Sequence, residues 1–235
     1  MGDDMKNKLL KTIAFIFYVL SLFILLFCFK VRLNNTVYLY TKSRMFLLIL
    51  SCVLIYISGL ILVKKLNYTK KILKINLIIY FIIYTITIFT LTLFDEIFGR
   101  NGFNFVNWNK EILNTYIKYS FNIIPFNTIK LFITGYINGY VNFNSFAINI
   151  FGNLFILMPY GLFIPLIIKK VNKYYKFLIL MIILVIIIEF LQFITLSGSC
   201  DIDDLLLNVL GASIMYFICK IKLIKKMITK ILLYE

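Results

Sequence analysis

The chain has 235 residues, 62% of them hydrophobic and 17% aromatic, with a mean hydropathy of +0.94. Those values exclude an ordinary soluble domain and place the chain in a bilayer, with room for about six crossings of ~20 residues and one long loop. The net charge of +15 does not signal a nucleic-acid partner, because the lysines stand in short clusters between apolar runs, and the absence of histidine removes His-activated nucleophiles, imidazole proton shuttling and HExxH zinc chemistry.

The first apolar run, Leu9 to Phe29, lacks a small-residue cleavage pattern before Lys30 and reads as an uncleaved span. Further spans are expected at Met45–Val63, Ile72–Phe94, Ile148–Ile168, Phe177–Leu196 and Leu205–Ile224, the last requiring Lys220 and Lys222 to snorkel. The expected fold is an all-α polytopic helical bundle of about six transmembrane helices, with a long external loop before the fourth. Cys28, Cys52, Cys200 and Cys219 are scattered and suggest neither a disulfide framework nor a zinc site.

Orientation follows the short basic loops: Lys64, Lys65, Lys70, Lys71 and Lys74 after span two; Lys169, Lys170, Lys173 and Lys176 after span four; Lys220, Lys222, Lys225, Lys226 and Lys230 at the tail. These place both termini in the cytoplasm and the loop with Asp201, Asp203 and Asp204 outside. Lys30, Arg32, Lys42 and Arg44, in the first connection, run against this scheme. The connection from Asp95 to Ala147 holds the single tryptophan, Trp108, and segments such as "EILNTYIKY" and "TIKLFITGYINGY", which predict interfacial helices.

Polar residues concentrate in the halves of spans four to six that this topology places outermost. Asn149, Gly152 and Asn153 share a face of span four; Glu189 and Gln192 lie three apart in span five; Asp204, Asn208 and Gly211 share a face of span six. Glu189 is the sole acid inside an expected span, and an intramembrane acid is a functional candidate by default. Pro159 and Pro165, around Gly161, predict a broken fourth helix beside a polar cavity. Simpler roles compete: Asp203 as a helix N-cap, the amides as interhelical glue, Gly152 and Gly211 as points of close approach. The "DIDD" stretch fails as an EF-hand, leaving at most a divalent cation at the aspartates, and no metal or other cofactor is expected.

In order and spacing, "TLTLF" (Thr90–Phe94), "FNIIPFNTI" (Phe121–Ile129), "NIFGNLFILMPYGLFIP" (Asn149–Pro165), "EFLQF" (Glu189–Phe193) and "DIDDLLLNVLGA" (Asp201–Ala212) resemble the VanZ-like family of small bacterial membrane proteins. The resemblance assigns residues 76–224 to a VanZ-like domain and leaves residues 1–75 as an N-terminal hairpin of two spans. It implies a multi-pass protein of a Gram-positive cell membrane and a link to resistance against the lipoglycopeptide teicoplanin. Its recurrent polar positions fall on Asn122, Pro125, Asn149, Gly152, Asn153, Pro159, Gly161, Glu189, Gln192, Asp201, Asp204, Asn208 and Gly211. Many relatives carry an Arg shortly before the aspartate motif, where this chain has "SGSC".

Three functions follow as expectations. The first is a resistance factor whose outward polar pocket (Asn122, Asn149, Asn153, Gln192 and Asn208 around the acids) meets membrane lipids, a lipid-linked wall precursor or a lipoglycopeptide, with Asn122 and Pro125 as its lid. The second is an envelope-modifying enzyme using Glu189 with Asp201 or Asp204 as acid and base. The third is a structural subunit in which the polar set only holds helices together. A transporter fits less well, since no inverted repeat is visible.

Overall fold

The computed structural model describes residues 2–33, 41–94, 109–196 and 198–232. Among them, six helices are long and apolar enough to cross a membrane: Asp3–Val31, Lys42–Lys65, Lys71–Leu93, Phe143–Ile167, Tyr174–Thr195 and Ile202–Lys220. The protein is an all-α polytopic membrane protein. Its residues fall into two compact units, residues 1–81 with 228–235 and residues 82–227. Trp108 lies outside the described residues.

The first unit holds α1 (Gly2–Leu33), α2 (Thr41–Leu60) and the start of α3 (Lys71–Phe94). At 1.5 Å per residue the 32 residues of α1 span about 48 Å, more than a hydrocarbon core requires. Lys30 and Arg32 therefore belong to its last turn, and Lys42 and Arg44 to the start of α2. Small residues let α1 and α2 pack closely: Ala14, Ser51 and Ser58 are fully buried, and the Ser58 hydroxyl donates to the Ala14 carbonyl at 3.0 Å. Asn76 of α3 accepts from the Tyr18 hydroxyl and donates to the Ile55 carbonyl, each at 3.1 Å. A π-helical turn, Ile61–Lys65, and left-handed Asn67 (φ 56°) lead from α2 into α3.

The second unit begins at Ile82 within α3. The expected interfacial segments are helical: α4 (Lys110–Ser120), N-capped by Asn109 accepting from the Ile112 N–H, and α5 (Asn127–Ile137). The fourth span is broken, and it starts five residues before the expected Ile148. α6 (Phe143–Ala147) passes into a π-helical turn, Ile148–Gly152, then α7 (Asn153–Ile156), a turn, and α8 (Tyr160–Ile167). Pro159 sits at the N-cap of α8, where a missing N–H is harmless, whereas Pro165 lies inside the helix. The carbonyl of Ile156, left by the break, accepts from the Tyr84 hydroxyl, so the interruption is satisfied by protein, as an apolar surround demands.

α9 (Tyr174–Thr195) buries Phe177, Met181, Val185, Ile188, Glu189, Gln192 and Thr195, one stripe at helical spacing. α10 (Ile202–Lys220) crosses the fourth span at backbone contact. A Cβ on Gly161 would lie 2.3 Å from the Ala212 carbonyl oxygen, and one on Gly211 would lie 1.7 Å from that of Leu154. Only glycine permits this approach. Gly152 differs, since its nearest neighbour is Ile148 of its own helix at 3.9 Å, and it brings no helices together. The expected sixth span overran: α10 ends at Lys220, whose ammonium bonds Asn172 Oδ1, and Lys222 opens a separate helix, α11 (Lys222–Leu232).

Candidate functional site

Two short strands, β1 (Phe121–Asn122) and β2 (Cys200–Asp201), pair in parallel, with Phe121 opposite Cys200 and Asn122 opposite Asp201. The pairing draws the long third connection onto the start of α10. Asn122 Nδ2 donates to Asp201 Oδ1 at 2.9 Å and to Thr128 Oγ1 at 3.0 Å. Asn122 Oδ1 accepts from the Ile124 N–H at 3.1 Å, closing an Asx-type turn. Pro125 follows in a turn that puts Phe126 in the left-handed region (φ 65°), as a type II turn requires of its third residue.

The strain at Phe126 is offset by its N–H, which donates to Asp203 Oδ1 at 2.5 Å while the Ile129 N–H donates to Asp203 Oδ2 at 3.0 Å. Asp203, 1% exposed, thus caps the N-terminus of α5, a helix from another part of the chain, with both of its carboxyl oxygens. The expectation that Asp203 caps its own helix gives way: Asp201 caps α10, accepting from the Asp203 N–H at 2.9 Å. Asn122 is stitched to Asp201, and Phe126, next to Pro125, to Asp203.

From α9, buried Glu189 accepts the Asp201 N–H at Oε2, 3.1 Å away. One turn on, Gln192 Nε2 donates to the Thr92 carbonyl at 3.1 Å, tying α9 to the end of α3. From the fourth span, Asn153 Nδ2 donates to Asp204 Oδ1, a contact set up by the close crossing at Gly211 and Leu154. Asn149 instead donates back to the Ser145 carbonyl of its own helix at 2.8 Å, and its carbonyl accepts from Asn153. The polar face expected of Asn149, Gly152 and Asn153 is divided, with Asn153 meeting the acids.

Burial, and then the carboxylates of Glu189, Asp201 and Asp204, push the Cys200 thiol pKa up. Most acceptors of the knot are taken: Asp203 by two backbone N–H groups, Asp201 by Asn122 and Asp203, Asp204 by Asn153. Two are not. Gln192 Oε1 and Asn208 Oδ1 are buried without a hydrogen-bond partner among the described residues, although Asn208 Nδ2 donates to the Asp204 carbonyl at 2.7 Å. A buried acceptor is costly unless something donates to it, and the unused chemistry of the site is that of accepting from a donor-bearing group. Among the described residues no three Asp, Glu, His or Cys side chains are arranged to hold a metal ion.

Beside the knot lies an open cavity of about 470 Å³ along α4, lined by Glu111, Ile112, Thr115, Tyr116, Tyr119, Ser120, Leu196 and Gly198. Tyr116 anchors its wall: the ring meets Phe193 edge-on at 5.2 Å and the hydroxyl donates to the Gly198 carbonyl at 3.0 Å. Glu111 lines it, whereas Glu189, Asp201, Asp203 and Asp204 do not. Sequence reasoning missed Tyr116, Thr92, Thr128 and the role of Asp203; the only signal available was an unmatched acid near a turn that starts a helix.

No curated protein and no solved structure matches this chain. The sequence profile of VanZ/LLP1 matches residues 81–224, more than half of its length, and this stretch contains every residue of the knot. The chain therefore belongs to the VanZ/LLP1 family.

Proposed function

We propose that this VanZ-like membrane protein contributes to resistance against lipoglycopeptides such as teicoplanin, through the polar knot acting at the outer leaflet of a bacterial cell membrane. The carrying observation is convergence. Thr92, Asn122, Asn153, Glu189 with Gln192, and Asp201 to Asp204, from five separate segments, form one connected hydrogen-bonded site with two acceptors to spare. Teicoplanin, on an acyl chain, and lipid-linked wall precursors, on a polyprenyl chain, both present hydroxyl and amide donors next to a membrane-seated lipid, so either matches a site of acceptors within a membrane protein. The lysine distribution supports cytoplasmic termini, which puts this end of α9 and α10 outside. Weakening the drug's second, membrane-borne attachment lowers its avidity without altering its target.

The test is susceptibility to teicoplanin and vancomycin in a sensitive Gram-positive host expressing the protein, Glu189→Gln or Asp204→Asn at matched membrane abundance. Protection is expected against teicoplanin and not vancomycin, falling to the empty-vector level in both variants. Wild type that is abundant and gives no protection refutes the proposal.

An envelope-modifying enzyme is the second reading, favoured by the buried pairing of Glu189 with the Asp201 N–H, which sets two carboxyl-bearing residues side by side. It requires a lipid or glycan species that changes with expression and reverts in Glu189→Gln. Purely structural glue instead requires both variants to lose abundance.

A further inference from the structure

The basic tail forms a helix of its own, and its pattern is sharper than a topology signal needs. Projected at 100° per residue, Leu223, Ile224, Met227, Ile228, Ile231 and Leu232 of α11 fill one half of the circumference. Lys222, Lys225, Lys226 and Lys230, with Thr229, fill the other, and the helix has no acid. Leu223, Met227 and Ile231 are 67%, 50% and 51% exposed.

Eleven residues reach about 16 Å, half the thickness of a hydrocarbon core, so α11 cannot cross. It is also separated from the sixth span by a single residue, Ile221, in an extended conformation (φ −60°, ψ 128°). The helix therefore starts at the end of the sixth span, half-buried at Ile224 and Ile228, with an apolar edge exposed along Leu223, Met227 and Ile231 and a cationic face beside it.

We propose that α11 lies in the plane of the leaflet on which the sixth span ends, seating its apolar face among acyl chains and its lysines on anionic phospholipid headgroups. Each lysine near such a surface is worth about fivefold in partitioning, an advantage that zwitterionic lipids do not give. The tether to a spanning helix removes most of the cost of bringing the helix to the surface.

The test uses the full chain with its four cysteines replaced by serine and one new cysteine, Leu223→Cys, Met227→Cys or Lys225→Cys, carrying an environment-sensitive fluorophore. It is reconstituted in phosphatidylcholine vesicles with and without phosphatidylglycerol. In anionic vesicles the probes at 223 and 227 should report an apolar setting and be quenched by spin-labelled acyl chains, while the probe at 225 stays aqueous. Added salt, or K222Q/K226Q/K230Q, should cut the buried-to-aqueous ratio of the probe at 227, on the order of fivefold per lysine removed. Aqueous signals at all three positions would overturn the proposal, as would burial without acyl-chain quenching, which marks a protein partner. Burial indifferent to phosphatidylglycerol would overturn its anionic component.

Discussion

The two units solve the problem of polar groups in an apolar chain in opposite ways. In the first, neutral side chains make local repairs: Ser58 to the Ala14 carbonyl, Tyr18 to Asn76, Asn76 to the Ile55 carbonyl. In the second, carboxylates are buried and then matched to backbone N–H groups, with Asp203 holding the start of α5 and Glu189 holding Asp201. Neutral pairs in a membrane protein are individually modest, whereas a buried carboxylate binds strongly or costs heavily. Hydrogen bonding alone does not mark a functional region; a buried carboxyl group is the stronger candidate.

The largest expected difference comes from deleting one polar partner in each unit. Asp203→Ala removes two charge-assisted bonds and should lower stability in detergent by about 3–6 kcal/mol, with protease cutting near Phe126. Asn76→Ala in the first unit should cost about 1–2 kcal/mol and leave that segment protected. Equal losses in thermal unfolding would erase the distinction.

Glycines give the next contrast. Gly211→Ala sets a methyl group against the Leu154 backbone and should cost about 1–3 kcal/mol, because neither helix can yield without the other. Gly59→Ala meets only side-chain atoms of Asn76 and Leu73 and should cost less. Gly152→Ala, free of neighbours beyond its own helix, should gain up to about 1 kcal/mol from helix propensity. Melting temperatures of the three variants should rank in that order.

The smallest effect is chemical. With Cys28, Cys52 and Cys219 replaced by serine, Cys200 should alkylate more slowly than a free thiol at pH 8. Its pKa is raised, so less thiolate is present at any given pH, and the rate should climb to its plateau at higher pH. Glu189→Gln or Asp204→Asn should move the profile part of the way back, since burial, the larger cause, persists. An unshifted profile would separate the acids from the thiol.

Much of this was legible beforehand. Hydropathy located the six spans because each needs ~20 apolar residues, and Pro159 announced the break in the fourth. The ends were less legible: the run Leu205–Ile224 stays apolar through Lys220 and Lys222, and only the extended backbone at Ile221 separates two helices there. Of the site, the residues were readable and their pairings were not. Phe121–Asn122 carries no strand signal in two residues, and its partner lies 79 positions away. Asp203 was set aside because an acid in the first turn of a helix has an adequate local explanation. Its true partner is a helix whose N-terminus is defined only after β1 has paired.

The β1–β2 pair also dictates an order of manufacture. A chain is inserted from its amino end, and a pairing of Asn122 with Asp201 cannot close until the sixth span has emerged. The first unit's contacts among α1, α2 and the start of α3 are complete far earlier, apart from its short carboxyl-terminal stretch. Glu189 is itself made only late in that interval, shortly before the Asp201 amide that holds it. The knot is thus a late act of biogenesis, and a ribosome that stops before Asp201 releases a membrane protein with its hairpin built and its polar knot unassembled.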